Sequence, residues 1–265
     1  MASTYLDNIV SWHRARAQRD LRPWRERMDE VHYSGPSLRE ALRADDATNV
    51  AIIAEIKRRS PSKGWLDEHL DVATLAESYQ KGGANALSVL TDVPHFGGST
   101  SDLRQARSSV ALPILRKDFT VSANDVLDCV EMGASAVLLI VAALEVNELR
   151  QFMDIAGHCG IDALVEVHDE QQARLAIDLG ASLIGVNQRD LKSFEVNPQN
   201  AANVIATLSS DIVTVAESGM MSRSDVVNAA NAGFDAVLVG EAFVRSPDPR
   251  TTVELFASVQ RTRRA

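Results

Sequence analysis

Among 265 residues, 36 Asp and Glu outnumber 27 Lys and Arg, giving a net charge of −9 and a pI near 5.2. A surface that acidic repels phosphate polymers and anionic lipid, so neither nucleic acid nor a membrane is expected as a partner. A hydrophobic fraction of 45% excludes a disordered chain and suffices for one large core or two small ones.

The first twenty residues contain no apolar stretch of the secretory kind. The longest uncharged apolar run, Met132–Leu144, is too short to cross a bilayer. A cytoplasmic protein is expected. Cys129 and Cys159 cannot make a disulfide framework and read as reduced interior thiols.

In chain order, Thr4–Gln18 reads as an amphipathic helix through Leu6, Ile9, Val10 and Trp12. Ser37–Leu42 reads as a second, short helix opened by a serine cap. No low-complexity linker follows. Residues 1–48 are therefore expected to pack on residues 49–260 as an extension, within one domain spanning 1–265.

From residue 50 onward short apolar runs alternate with longer amphipathic ones. The runs are Val50–Ile56, Ala86–Leu90, Pro113–Leu115, Ala136–Ile140, Ala163–Val167, Leu183–Val186, Ile212–Val215 and Ala236–Val239. Most are apolar at every position, which suits parallel strands covered on both faces. Asp71–Lys81, Ser122–Met132, Glu145–Cys159 and Ser222–Ala232 carry helical patterns between them, with a final helix near Thr251–Gln260. Gly83, Gly133, Gly180 and Gly233 each close a helix just before a strand and recur at intervals of roughly 50 residues, about two βα units per step. Eight strands with intervening helices predict a (β/α)8 barrel, whose usual length is about 250 residues. An open, doubly wound sheet is the alternative, but the turn after the first strand has no GxGxxG.

The residues after the strands run against the acidic background. Lys57, Arg58, Arg59 and Lys63 follow the first, Arg116 and Lys117 end the third, and Arg189 follows the sixth. In such a barrel these positions build one functional face, so a cationic face and an anionic small ligand are expected. Glu55, Glu166 and Glu217 lie in or at the ends of strands. A strand-end Glu beside a Lys on a neighbouring strand is an arrangement for proton transfer, because each tunes the other. Ala216-Glu217-Ser218-Gly219 and Val239-Gly240-Glu241-Ala242 follow the last two strands, where bare backbone N–H groups commonly bind phosphate. The six histidines show no i,i+4 pair and the cysteines no CxxC, so no metal site is expected and single histidines are taken as surface or cap residues. GxSxG and P-loop motifs are absent.

Five segments together resemble the indole-3-glycerol-phosphate synthases of tryptophan biosynthesis. They are Ile53-Ala54-Glu55-Ile56-Lys57-Arg58-Arg59-Ser60-Pro61-Ser62-Lys63-Gly64, Pro113-Ile114-Leu115-Arg116-Lys117-Asp118-Phe119, Ala163-Leu164-Val165-Glu166-Val167-His168, Gly185-Val186-Asn187-Gln188-Arg189-Asp190-Leu191 and Ala216-Glu217-Ser218-Gly219. The resemblance implies a (β/α)8 barrel with an amino-terminal helical extension, no metal and no cofactor. It implies ring closure, decarboxylation and dehydration of 1-(2-carboxyphenylamino)-1-deoxyribulose 5-phosphate, a small anionic substrate; separately, a monomer is expected. By the same resemblance Lys117 is the general acid and Glu166 its acid/base partner in the dehydration. Lys57 would hold the anthranilate carboxylate, while Glu55, Asn187 and Glu217 orient the reactants. Ser60, Ser218, Gly219, Gly240 and Glu241 match phosphate-binding positions, Arg189 is counted among the substrate-binding residues, and Phe96, Phe119, Leu138 and Ile140 would line the ring pocket. The sequence departs from the commonest pattern at Gln188, at Arg58-Arg59 and at the bulky Trp65.

Two other readings stand beside it. A phosphoribosylanthranilate isomerase or similar sugar-phosphate isomerase would need a Cys/Asp or Asp/Asp pair, and the first strand offers Glu55 and Lys57 instead. A catalytically silent phosphate-binding barrel would have no use for both Lys117 and Glu166.

Overall fold

A computed structural model of the chain describes residues 4–43, 48–60, 63–189, 197–262 and 264. Pro61, Ser62, Asp190 and Leu191 of the quoted motifs lie outside the described residues. Three helices, α1 (Tyr5–Ala17), α2 (Trp24–Glu30) and α3 (Leu38–Arg43), precede β1 (Ala51–Ile56). A small hairpin, β2 (Arg59–Ser60) and β3 (Gly64–Trp65), leads to α4 (Val72–Lys81). The chain continues through β4 (Ala86–Leu90), α5 (Val93–Phe96), α6 (Thr100–Ser109), β5 (Ile114–Lys117) and α7 (Ala123–Glu131). Then come β6 (Ala136–Ile140), α8 (Val146–His158), β7 (Asp162–Val167), α9 (Glu170–Asp178), β8 (Leu183–Asn187) and α10 (Pro198–Ile205). The last elements are β9 (Val213–Glu217), α11 (Arg223–Ala232), β10 (Ala236–Val239), α12 (Glu241–Val244) and α13 (Pro249–Ala257).

Eight strands close a parallel barrel in the order β1-β10-β9-β8-β7-β6-β5-β4, which is the (β/α)8 architecture. Local chemistry sets where the helices start and stop. Ser122 and Ser222 accept hydrogen bonds from Asp125 and Asp225 N–H, and Asp169 accepts from Gln172 N–H. The four repeat glycines take φ of 90°, 83°, 88° and 96°, a region that costs a side chain energy, and Gly160 at 78° ends α8 in the same way.

Alternation along the strands sorts side chains into two layers. Ile52, Ala54, Ile56, Leu139, Val165, Ile184 and Val237 face the helices, within the larger apolar cluster. Ala51, Ile53, Leu115, Leu138, Leu164, Leu183, Val215 and Leu238 fill the barrel interior. Five of the inward series, continued two residues at a time towards the carboxyl end of the strand, end on polar residues: Glu55 and Lys57, Lys117, Glu166, Asn187, Glu217; those through Leu138 and Leu238 end on Ile140 and Gly240. Alternation thus carries these residues to one mouth.

The extension helices serve opposite ends. Leu38 and Leu42 of α3 are buried among the interior residues Ala51, Ala86 and Leu183, at the amino-terminal ends of the strands. Ser37 Oγ and Arg39 N–H both donate to Asp162, at 2.8 and 3.0 Å. Helix α1 crosses the other end. Tyr5, Leu6 and Ile9 reach the cavity there, while Arg14 donates twice to Glu148 at 2.8 Å and Arg16 pairs with Asp125 at 2.6 Å. Helix α2 carries weak local signals: its Pro23 cap makes no side-chain hydrogen bond and it buries no residue completely.

Candidate active site

One cavity at the carboxyl ends of the strands brings together the residues to which the resemblance gives a site role: Glu55, Lys57, Ser60, Phe96, Lys117, Phe119, Leu138, Ile140, Glu166, Asn187, Arg189, Glu217, Ser218, Gly219, Gly240 and Glu241. Its polar floor is a short network. Lys117 Nζ lies 3.0 Å from Glu166 Oε2 and 3.2 Å from Glu217 Oε2, and Asn187 Nδ2 donates to Glu166 Oε1 at 3.0 Å. Asn187 Oδ1 in turn accepts from Ser218 Oγ at 2.9 Å and from Arg189 N–H at 3.0 Å. Across the mouth, Lys57 Nζ donates to Glu55 Oε1 at 2.5 Å. Strand register explains the meeting: Glu166 stands opposite Gly185, and Asn187 opposite Glu217. A methyl group on Gly185 would run into Glu217 Oε1, so the strand carries glycine where the carboxylate lies across it.

Burial sharpens the electrostatics. Glu55, Glu166 and Glu217 are each under 5% exposed. Burial works against the charge on Lys117, but Glu166, Glu217 and Glu55 outweigh it and hold the ammonium above its usual range. Burial alone would raise Glu166; Lys117, His168 and the Asn187 amide overcome it and lower the carboxyl to about 2. Glu217 goes the other way, to about 8, because burial and the neighbouring Glu166 charge exceed the pull of Lys117. One ammonium between two carboxylates in a dry site favours ionising one and keeping the proton on the other.

The walls match an aromatic ring. Leu90, Leu138, Ile140 and Leu238 line one part, and the rings of Phe96 and Phe119 stand 6.2 Å apart. At the rim, Ser218 and Gly219 both adopt positive φ, 66° and 81°. Ser218 is the one such non-glycine among the described residues, a strained turn of the kind that cradles anions. The Glu241 carboxylate is 3.2 Å from Arg245.

Several expectations need correction. The seven basic residues do not form one cationic face. Lys57, Lys117 and Arg189 line the cavity, whereas Lys63 stands exposed 4.0 Å from Glu241. Arg116, one residue from Lys117, points outward by alternation and is buried, bonded to Thr91, Asp118 and the Asp125 carbonyl. Arg58 grips the Asp102 carboxylate at 2.9 Å, and Arg59 lies over the Trp65 ring. Nor is His13 a surface or cap residue. It is 3% exposed, and Asp92 Oδ2 sits 2.8 Å from its Nε2 and 2.9 Å from His95 Nδ1. Folding brings these three side chains within 4.8 Å although their spacing suggests no cluster. Leu90 and Leu238 were legible from alternation; Tyr5, Leu6 and Ile9 were not, because an amphipathic face does not name its partner.

A family model described as "Indole-3-glycerol phosphate synthase" matches residues 7–256. The chain belongs to the indole-3-glycerol phosphate synthase family. It is thereby an enzyme of tryptophan biosynthesis, a carboxy-lyase. A protein of that name from Mycolicibacterium vanbaalenii is 43% identical over 253 residues, 95% of this chain and 93% of the relative. One from a Nocardioides species is 48% identical over 214 residues, 81% of this chain and 82% of the relative. Among solved structures, 3-hexulose-6-phosphate synthase from Salmonella typhimurium superposes with a TM-score of 0.64 at 12% identity, covering 78% of this chain and 96% of that one. This last likeness concerns the barrel alone. Among the described residues no helix is long and apolar enough to cross a membrane.

Proposed function

We propose that this cavity converts 1-(2-carboxyphenylamino)-1-deoxyribulose 5-phosphate to indole-3-glycerol phosphate with release of CO2 and water. The observation that carries the reading is the Lys117 ammonium held between Glu166 and Glu217 at the base of an apolar, ring-sized pocket. A lysine kept charged by the ionised Glu166, beside the protonated Glu217, is a proton donor in place. It protonates the ketone oxygen as the aryl carbon attacks the carbonyl carbon, and loss of CO2 restores the aromatic ring. Glu166, the ionised carboxylate, then takes the proton from the adjacent methylene carbon and delivers it to the departing hydroxyl. Lys57, braced by Glu55, pairs with the anthranilate carboxylate until it leaves. Asn187 and Glu217 hold Glu166 and Lys117 in register.

Ser60, Arg189, Ser218 and the backbone of Gly219, Gly240 and Glu241 take the phosphate at the rim of the cavity, where Gly240 adjoins Lys57 and Glu55. Anchoring both ends of the substrate converts ring closure into a pre-oriented step. The scheme uses proton transfer only, with no metal or cofactor, and we read the protein as a cytoplasmic monomer. Incubation with the carboxyphenylamino-deoxyribulose phosphate should release CO2 and an indole-fluorescent product, with undiminished turnover in EDTA. Lys117→Ala should lower kcat by ~10²-fold or more. Turnover of a phosphoribosylanthranilate-type substrate instead, or a fully active Lys117→Ala, would refute the reading.

A further inference from the structure

Loss of CO2 from a carboxylate leaves the proposed turnover one proton short. The ketone oxygen takes two protons to leave as water, the methylene carbon supplies one, and Lys117 has given the other. At the end of the cycle Lys117 is neutral and must be recharged from solvent. Glu166, the carboxylate hydrogen-bonded to Lys117, is only 2% exposed and has no direct access to bulk water.

Next along the chain from Glu166 and Val167 is His168. Its Nε2 lies 3.7 Å from Glu166 Oε1, on the oxygen away from Lys117. Both ring nitrogens are buried without a hydrogen-bond partner. Leaving such atoms unpaired is costly, and in a folded protein that asks for a reason. The backbone here is pinned: its N–H donates to Gln172 Oε1 at 3.0 Å and its carbonyl accepts from Asn200 Nδ2 at 2.6 Å. The ring itself is held by neither amide. Its side chain is 16% exposed, and exposed Asp169, the cap of α9, follows it. Glu166 is the charged group against the ring, Lys117 lies beyond it, and Asp169 stands on the solvent side; α9 and α10 add the neutral Gln172 and Asn200.

We propose that His168 relays a proton from solvent to Glu166, and through it to Lys117, once per turnover. A small rotation of the ring closes the 3.7 Å gap to hydrogen-bond range, as catalytic contacts commonly tighten with substrate bound. The imidazolium Nε2–H passes its proton to Glu166 Oε1. The carboxylic acid so formed turns and protonates the neutral Lys117 Nζ, returning to carboxylate. The neutral imidazole, whose two nitrogens are buried at rest, then swings one of them to the surface and takes a proton from water or buffer. The inference rests on the acid–base role of Glu166 proposed above.

The test is turnover in dilute, non-imidazole buffer. His168→Asn and His168→Gln should each lower kcat by about 10-fold or more with KM within about twofold of wild type. Added imidazole should restore kcat in the variants and leave wild type unchanged. A merely structural ring would not produce that rescue. Wild-type kcat in either folded variant overturns the relay, and so does a loss that imidazole fails to restore in a variant with native melting temperature. Glu166→Gln separates the two layers: if it stays active, the role of Glu166 itself falls. If it is inactive while His168→Asn turns over normally, only the relay falls.

Discussion

Replacing Gly240 by alanine tests whether the mouth is as tightly assembled as its distances imply. A Cβ there would lie 2.5 Å from Glu55 Oε1 and 3.1 Å from Lys57 Nζ, where ordinary contact begins at 3.4 Å. The carboxylate must therefore retreat by about 0.9 Å and the ammonium by a few tenths, and Glu55 is only 4% exposed. Since Lys57 is positioned by Glu55 at 2.5 Å, the displacement passes to the group that holds the substrate carboxylate. Misplacing a positioned group by about 1 Å costs on the order of 10²-fold, so kcat/KM should fall between ~10- and ~100-fold, with kcat itself reduced. A residue serving only the phosphate would behave differently: KM and the competitive inhibition constant of inorganic phosphate would rise together at constant kcat. Steady-state assays of indole product with and without phosphate distinguish the two. A double-mutant cycle with Glu55→Ala locates the cause, because without the carboxylate the added methyl should cost little more. Unchanged kcat in Gly240→Ala, or an equal penalty in the Glu55→Ala background, would refute the steric argument.

Three further outcomes are expected. Glu217, raised to about 8 from its ordinary 4.5, keeps its proton in the fold over a range where the unfolded chain has lost it. Stability is then full below about pH 4.5 and declines as pH rises towards about 8; Glu217→Gln should flatten that decline in melting curves and slow turnover. Leu38→Ala, at a fully buried site in the barrel floor, should cost about 2–5 kcal/mol and lower Tm by several degrees while leaving KM unchanged. Removing the roof side chain by Leu6→Ala should do the reverse, raising KM with little change in Tm; an equal effect of both substitutions on KM would contradict the division of labour between α3 and α1.

Much of this molecule follows from local pattern. The apolar runs, the capping serines and aspartates and the helix-ending glycines mark the β/α alternation, because each is satisfied by neighbours within a few residues. Two-residue alternation likewise places Glu55 with Lys57 and carries Leu164 on to Glu166, so most of the polar site is legible once the strands are. Tertiary structure settled the rest. Whether Lys117 or Arg116 faces the pocket depends on which side of the strand closes into the barrel, a matter of all eight strands together. That α3 plugs the floor while α1 roofs the mouth, and that His13 meets Asp92, rests on pairs such as Arg14–Glu148, separated by 134 residues. An amphipathic stripe states that a helix must be covered, but the covering surface exists only after distant segments have been brought together.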